Sequence, residues 1–199
     1  MAIYHFCVYG YSDIYRDVAD EFAREYGAKI VTILSGKNRP KGFRPRTLLY
    51  RRRARRGALE IRDVNSEAFR ASIPEGSDGI VTLFDQIFKT ETIRAFRTLV
   101  NFHPSLLPYY RGRSAMEDCL RNGESATGFT IHEITRRIDD GPILYQEVVP
   151  LNGASSLPEA DAVVARQAAL ALRRYLEHLY CGKDFPQTVV EAAAVYRNR

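Results

Sequence analysis

The 199-residue sequence predicts an α/β fold, a doubly wound, mostly parallel but mixed sheet with helices on both faces. Three observations predict it. A strand, an amphipathic helix and a second, β-branched strand follow one another within the first 34 residues. The alternation of strand and helix then continues to about residue 102. Beyond that point two consecutive strands interrupt it and make the sheet mixed.

The first strand is Tyr4 to Tyr9, ended by Gly10, and Ser12 or Asp13 caps a helix that runs to Tyr26 and closes at Gly27. Ala28 to Leu34 is the second strand, and the strand–helix–strand order implies a parallel pair with a right-handed crossover. After Ser35 and Gly36, the residues Pro40, Gly42 and Pro45 imply an irregular loop before a short helix over Thr47 to Arg56. Leu59 to Val64 reads as a strand, Asn65 or Ser66 as the cap of a helix through Ile73, and Asp78 to Phe84 as a buried strand. A helix over Thr90 to Phe96 and a strand over Thr98 to Phe102 follow. Ser114 to Arg121 reads as helix, and Gly128 to Ile134 and Ile143 to Val149 as the two consecutive strands. Ser155 to Tyr180, with Pro158 in its first turn and an Ala/Leu stripe, reads as a long helix packed on the sheet. No repeat or low-complexity linker divides the chain, so one domain over residues 1–199 is expected.

The net charge of +5 is local. Ten Lys and Arg and no acid lie between Lys37 and Leu59, and the other 19 basic residues face 24 acids. Cys7, Cys119 and Cys181 form no Cys-x-x-Cys pair, so neither a disulfide framework nor a zinc site is expected, and a reducing cytoplasm fits best. The opening MAIYHFCVYGY lacks a basic leader, and no apolar run reaches membrane-spanning length. Phosphate-loop, His-Glu-x-x-His and Gly-x-Ser-x-Gly motifs are absent.

In open α/β sheets ligands bind beyond the carboxyl ends of the strands, and Asn101-Phe102-His103-Pro104 sits at such an end. Residues two apart share a strand face, so Asn101 and His103 point together while Phe102 points into the opposite layer. An amide N–H and an imidazole converging there suit acyl transfer, in which a carbonyl oxygen gains negative charge. A carboxylate from Asp139 or Asp140, in the turn Arg136 to Pro142, would orient His103 and raise its pKa. Each residue alone has a plainer reading: Asn101 satisfying strand-end backbone, His103 as a structural histidine, the two aspartates as turn formers.

The segment Val100-Asn101-Phe102-His103-Pro104-Ser105-Leu106-Leu107-Pro108-Tyr109-Tyr110-Arg111-Gly112, followed by Gly128-Phe129-Thr130-Ile131-His132 and Ile138-Asp139-Asp140-Gly141-Pro142-Ile143, resembles the 10-formyltetrahydrofolate-dependent formyltransferases in order and spacing. The resemblance implies a Rossmann-like formyltransferase fold, with Asn101, His103 and Asp139 at the catalytic positions and 10-formyltetrahydrofolate as formyl donor. It implies that the folate meets Leu83, Phe84, Asp85, Gln86 and Ile87 in one loop and the stretch Ile134 to Asp140 in another. Thr130 and His132 match positions that line the site, with a structural role equally open. Leu106 and Leu107 read as core.

A small amine is the expected acceptor. The resemblance offers glycinamide ribonucleotide, methionyl-tRNA, nucleotide-linked aminosugars and hydroxyornithine as acceptors. No segment after the long helix suits the extra β-barrel of the methionyl-tRNA enzymes. Gly10, Tyr11 and Ser12 stand where the glycinamide ribonucleotide enzymes carry a phosphate loop, and Arg111-Gly112 replaces their Pro-Gly. An aminosugar is therefore expected, with Gly10, Tyr11, Ser12, Arg111 and His132 as acceptor contacts and glycinamide ribonucleotide as the alternative. The arginines of Lys37 to Arg56 suit a pyrophosphate, or else cover one face of a short helix; scarce aromatics argue against RNA. A hydrolase acting on the formyl-folate and an inactive folate-binding relative stay open, as does a homodimer.

Overall fold

Strand β1 (Ile3–Cys7) is buried along its whole length, as a strand flanked on both sides must be, and it pairs in parallel with β2 (Ile30–Ser35) and with β4 (Asp78–Thr82). The computed structural model describes residues 2–7, 13–36 and 58–196. Gly10, Tyr11, Ser12 and the basic segment Lys37 to Arg56, with its expected helix, lie outside the described residues.

The chain divides into two compact units, Met1–Leu99 and Val100–Arg199. In the first, β3 (Ala58–Ile61) adds in parallel to β2, so the strand order is β3-β2-β1-β4 with every pair parallel. Helix α1 (Asp13–Tyr26) connects β1 to β2 and buries Tyr15, Ala19 and Phe22 along one stripe. Gly27 then takes the left-handed backbone that ends the helix, with φ 64°. Helix α2 (Glu67–Ala71) starts where Ser66 Oγ accepts from the Phe69 N–H, which settles the cap between the two residues expected. Helix α3 is a single turn, Thr90–Ile93, shorter than the expected reach to Phe96 because the chain turns at Phe96 to bury its ring. Phe6 packs edge-on against Phe69, Phe88 and Phe96, giving this unit an aromatic core on one face of β1. Asp78 is buried at the start of β4 and satisfied by Arg97 Nε at 2.9 Å and Thr98 Oγ1 at 2.9 Å.

On the other face of β1, the fully buried His5 holds Thr82 Oγ1 at 2.7 Å through Nε2. Burial, reinforced by the charge of Arg16, lowers its pKa from 6.5 to about 4. The folded state therefore excludes a proton that the unfolded chain binds below pH 6.5. Stability should be full above pH 6.5 and fall by about 3 kcal/mol as pH drops to 4. Urea midpoints across that window should show the slope, and His5→Gln should flatten it; an unchanged slope in the variant would refute the assignment.

In the second unit β5 (Thr98–His103), of which residues from Val100 belong here, pairs antiparallel with β6 (Ala126–Glu133), and β6 pairs antiparallel with β7 (Ile143–Pro150). Parallel strands in one unit and antiparallel strands in the other give the mixed α/β class that the sequence predicts. Helix α4 (Ala115–Arg121) precedes β6, and α5 (Leu157–Cys181) follows β7. The cap of α5 is Ser156, and Glu159 reaches back to accept from the N–H groups of Ser156 at 3.3 Å and Ser155 at 3.0 Å. Phe102 packs on Tyr175 of α5 with ring centroids 6.3 Å apart, in the layer opposite to the one Asn101 and His103 face. A further single turn, α6 (Ala192–Val195), has too little periodicity to be read from sequence. Among the described residues no helix is long and apolar enough to cross a membrane.

Candidate active site

Asn101, His103 and Asp139 converge within the second unit. The antiparallel register sets Asn101 directly opposite His132 and His103 opposite Thr130. Asn101 Nδ2 lies 3.2 Å from His132 Nε2 and 3.5 Å from Asp139 Oδ1. His132 Nδ1 is 2.9 Å from the Glu133 carbonyl, which only accepts, so the proton of a neutral His132 is assigned to Nδ1 and Nε2 receives the Asn101 amide. His132 thereby fixes which way the Asn101 amide faces. The 3.5 Å contact to Asp139 is long, so the second amide N–H is only weakly engaged.

Asp139 comes from the β6–β7 connection, in a left-handed backbone with φ 48°. Its Oδ2 accepts the Gly112 N–H at 2.8 Å and lies 3.5 Å from His103 Nδ1, while Oδ1 lies 3.5 Å from His132 Nε2. Burial would raise its pKa. The neighbouring His132 ring, the charge of His103 and the Gly112 N–H outweigh burial and bring it to about 2.

His103 is buried, and its Nε2 donates to the Tyr110 carbonyl at 2.8 Å. Nδ1 is thus the atom that faces Asp139. The Asp139 carboxylate favours the charged form of His103, as expected, but it does not set the net direction. Burial is the larger effect and lowers the pKa below 6.5, against Asp139 and the Tyr110 carbonyl, which favour the charged form. Nε2–H is thus engaged by Tyr110, and Nδ1, turned to Asp139, is the ring nitrogen open to a further proton.

The loop of residues 104–112 is tied from beneath. Thr130 Oγ1 donates to the Ser105 carbonyl at 2.7 Å and accepts the Leu107 N–H at 3.0 Å, so Thr130 serves the loop backbone. Leu106 and Leu107 are buried, as expected. Gly128 admits Leu106, whose Cδ2 would lie 2.4 Å from any Cβ placed there. Arg111 and Asp140 form an ion pair at 2.7 Å, and Arg137 lies 3.5 Å from the same carboxylate. Ile134 is half-buried beside this turn. The Tyr110 carbonyl and the Gly112 N–H escape residue-type reasoning because they are backbone groups, although both lie inside the recognised segment.

In the first unit, residues Leu83 to Ile87 form the loop after β4. Gln86 is buried there, accepting the Val64 N–H and donating to Ser35 Oγ, both at 3.0 Å. Its side chain is committed to the scaffold, so only backbone at this position is available to a ligand. Phe84 packs on Phe6 and Phe88, Leu83 has a left-handed backbone with φ 53°, Asp85 is half-buried, and Ile87 is exposed. Among the described residues no group of His, Cys, Asp and Glu is placed to hold a metal.

Residues 6–174 match the family model described as formyl transferase. The mitochondrial methionyl-tRNA formyltransferase of Homo sapiens is 37% identical over 103 residues, covering 51% of this chain and 26% of that protein. The matches span about a quarter of the length of such relatives. Glycinamide ribonucleotide transformylase 1 from Symbiobacterium toebii has a similar fold, with TM-score 0.68 and 19% identity over 94% of this chain and 92% of that one. The N-formyltransferase from Helicobacter canadensis, in complex with folinic acid and dTDP-3-aminofucose, superposes with TM-score 0.69 and 17% identity over 96% of this chain and 70% of that one.

Proposed function

The chain belongs to the formyl transferase family, and from that footing we propose that it transfers a formyl group from 10-formyltetrahydrofolate to the primary amine of a small acceptor, a nucleotide-linked aminosugar. The observation that carries the reading is the convergence of the Asn101 amide, the buried His103 imidazole and the ionised Asp139 carboxylate.

The acceptor nitrogen attacks the formyl carbon, and the Asn101 N–H bonds to the oxygen as its negative charge develops. The proton leaving the amine passes to neutral His103, whose imidazolium then rests against Asp139. Collapse of the tetrahedral carbon breaks its bond to folate N10, which leaves as tetrahydrofolate after receiving that proton. His132 keeps the Asn101 amide turned, and the Gly112 N–H keeps the carboxylate in place. The loop Leu83 to Ile87 in the first unit and the stretch Ile134 to Asp140 in the second are each expected to contact folate. The chain would act as one formyltransferase domain, since the family match runs through both units.

The aminosugar is favoured over glycinamide ribonucleotide by Tyr110-Arg111-Gly112, a form it shares with the methionyl-tRNA branch, and by the similarly folded Helicobacter canadensis protein with its dTDP-3-aminofucose. A second acceptor, methionyl-tRNA, is favoured by the sequence match to the enzymes of that name. The test is incubation with 10-formyltetrahydrofolate and, separately, dTDP-aminosugars, glycinamide ribonucleotide, methionyl-tRNA or no amine, followed by mass spectrometry. A gain of one formyl group by the aminosugar is the expected result. Gain only by another amine reassigns the acceptor, folate deformylation without any amine indicates a hydrolase, and no turnover overturns the reading.

A further inference from the structure

The loop beside His103 takes an anchor from a segment that lies beyond the family match, which ends at residue 174. Tyr196 is 1% exposed. The Leu106 N–H donates to its hydroxyl at 2.8 Å across 90 residues of chain, and the hydroxyl shares a second hydrogen bond with Thr127 Oγ1 at 3.0 Å. Its ring stands edge-on to Tyr110 at 4.7 Å and to Tyr109 at 5.8 Å.

The segment that carries Tyr196 is tied to the same loop by a second route. The Gln146 N–H donates to the Thr188 carbonyl, and Gln146 Oε1 accepts the Val190 N–H. The same Gln146 donates through Nε2 to the Leu107 carbonyl at 2.8 Å. The turn of α6 then directs Tyr196 inward, its N–H donating to the Ala192 carbonyl.

Tyr110 has φ 53°, a left-handed backbone that a bulky residue keeps only where its surroundings impose it. Three contacts hold its side chain here: the Tyr196 ring, the bond from the Tyr110 hydroxyl to the buried Glu124 at 2.8 Å, and the Asn122 amide that donates to the same hydroxyl at 3.0 Å. That backbone aims the carbonyl to which His103 Nε2 donates.

We propose that Tyr196 is a positioning residue of the formyl-transfer site: by satisfying Leu106 and wedging Tyr110, it holds the carbonyl that orients His103. The proposal rests on the reading of His103 as the proton acceptor. It assigns a part in the site to residues that the family match does not reach.

Tyr196→Phe keeps the ring and removes the hydroxyl, leaving the buried Leu106 N–H without its acceptor. In the full chain, the expected result is a fall in kcat of about ten- to a hundredfold with KM for donor and acceptor unchanged, because Tyr196 acts through the loop. A second readout needs no turnover. Exchange of the His103 Nε2–H proton with solvent, followed by NMR of imidazole-labelled protein, should become about tenfold faster as the loop opens more often. If the unaltered protein transfers no formyl group, the function reading fails while the exchange measurement still decides the role of Tyr196. Exchange at the unaltered rate in folded Tyr196→Phe overturns the proposal, as does faster exchange with kcat unchanged.

Discussion

Asp139→Asn should lower the rate of formyl transfer by about a thousandfold and leave the fold intact. Asn is nearly isosteric and its amide oxygen still accepts the Gly112 N–H, so the connection between β6 and β7 keeps its anchor. What is lost is the charge. In the native protein a carboxylate with a pKa of about 2 is ionised at any working pH, and on the proposed mechanism it stabilises the imidazolium that His103 becomes on taking the amine proton. Without it the proton must enter a buried ring with no counter-charge. The pH profile gives an independent check. Burial lowers the His103 pKa, and His103 must be neutral to accept a proton, so the native rate should rise with pH through a limb below 6.5 and level off above it. In Asp139→Asn that limb should move lower still, because Asp139 is the main group favouring the charged ring. Initial rates from pH 5 to 8 would test both statements, and turnover within a few-fold of native would sink the mechanism.

Gly141→Ala should remove about 3 kcal/mol of stability and most of the activity, for a steric reason. A Cβ at residue 141 would lie 1.9 Å from the Glu133 carbonyl oxygen and 2.9 Å from its carbon. Both are backbone atoms, so no rotamer change relieves the contact. The connection would have to lift away from β6, breaking the bond from the Glu133 N–H to the Pro142 carbonyl and displacing Asp139 two residues upstream. An ångström of displacement there costs about a hundredfold in rate. Urea unfolding and single-turnover rates measure the two effects; a native-like midpoint would show that the close approach is absent in solution.

Much of the fold was legible because its signals are local. A strand, helix and strand within 34 residues, Ser66 before its helix and the Glu159 capping partner each depend on a few neighbouring residues. The errors lie at element ends, as at Phe96, where burial of a side chain overrides the helical pattern. The family motif identified Asn101, His103 and Asp139, and the two-residue period of a strand put the first two on one face. What it left open were Thr130 and His132, whose polar groups serve equally well as ligand contacts or as scaffold.

By itself, then, the sequence determined the α/β class, the residues at the strand end and the face they share, since periodicity and motif spacing are properties of a short stretch of chain. Only the tertiary structure decided that His132 meets the Asn101 amide, that the Tyr110 carbonyl accepts from His103, that burial lowers the His103 pKa, and that Tyr196 accepts from Leu106 across 90 residues of chain. Those outcomes depend on antiparallel register and on depth of burial, which are set when distant segments pack together.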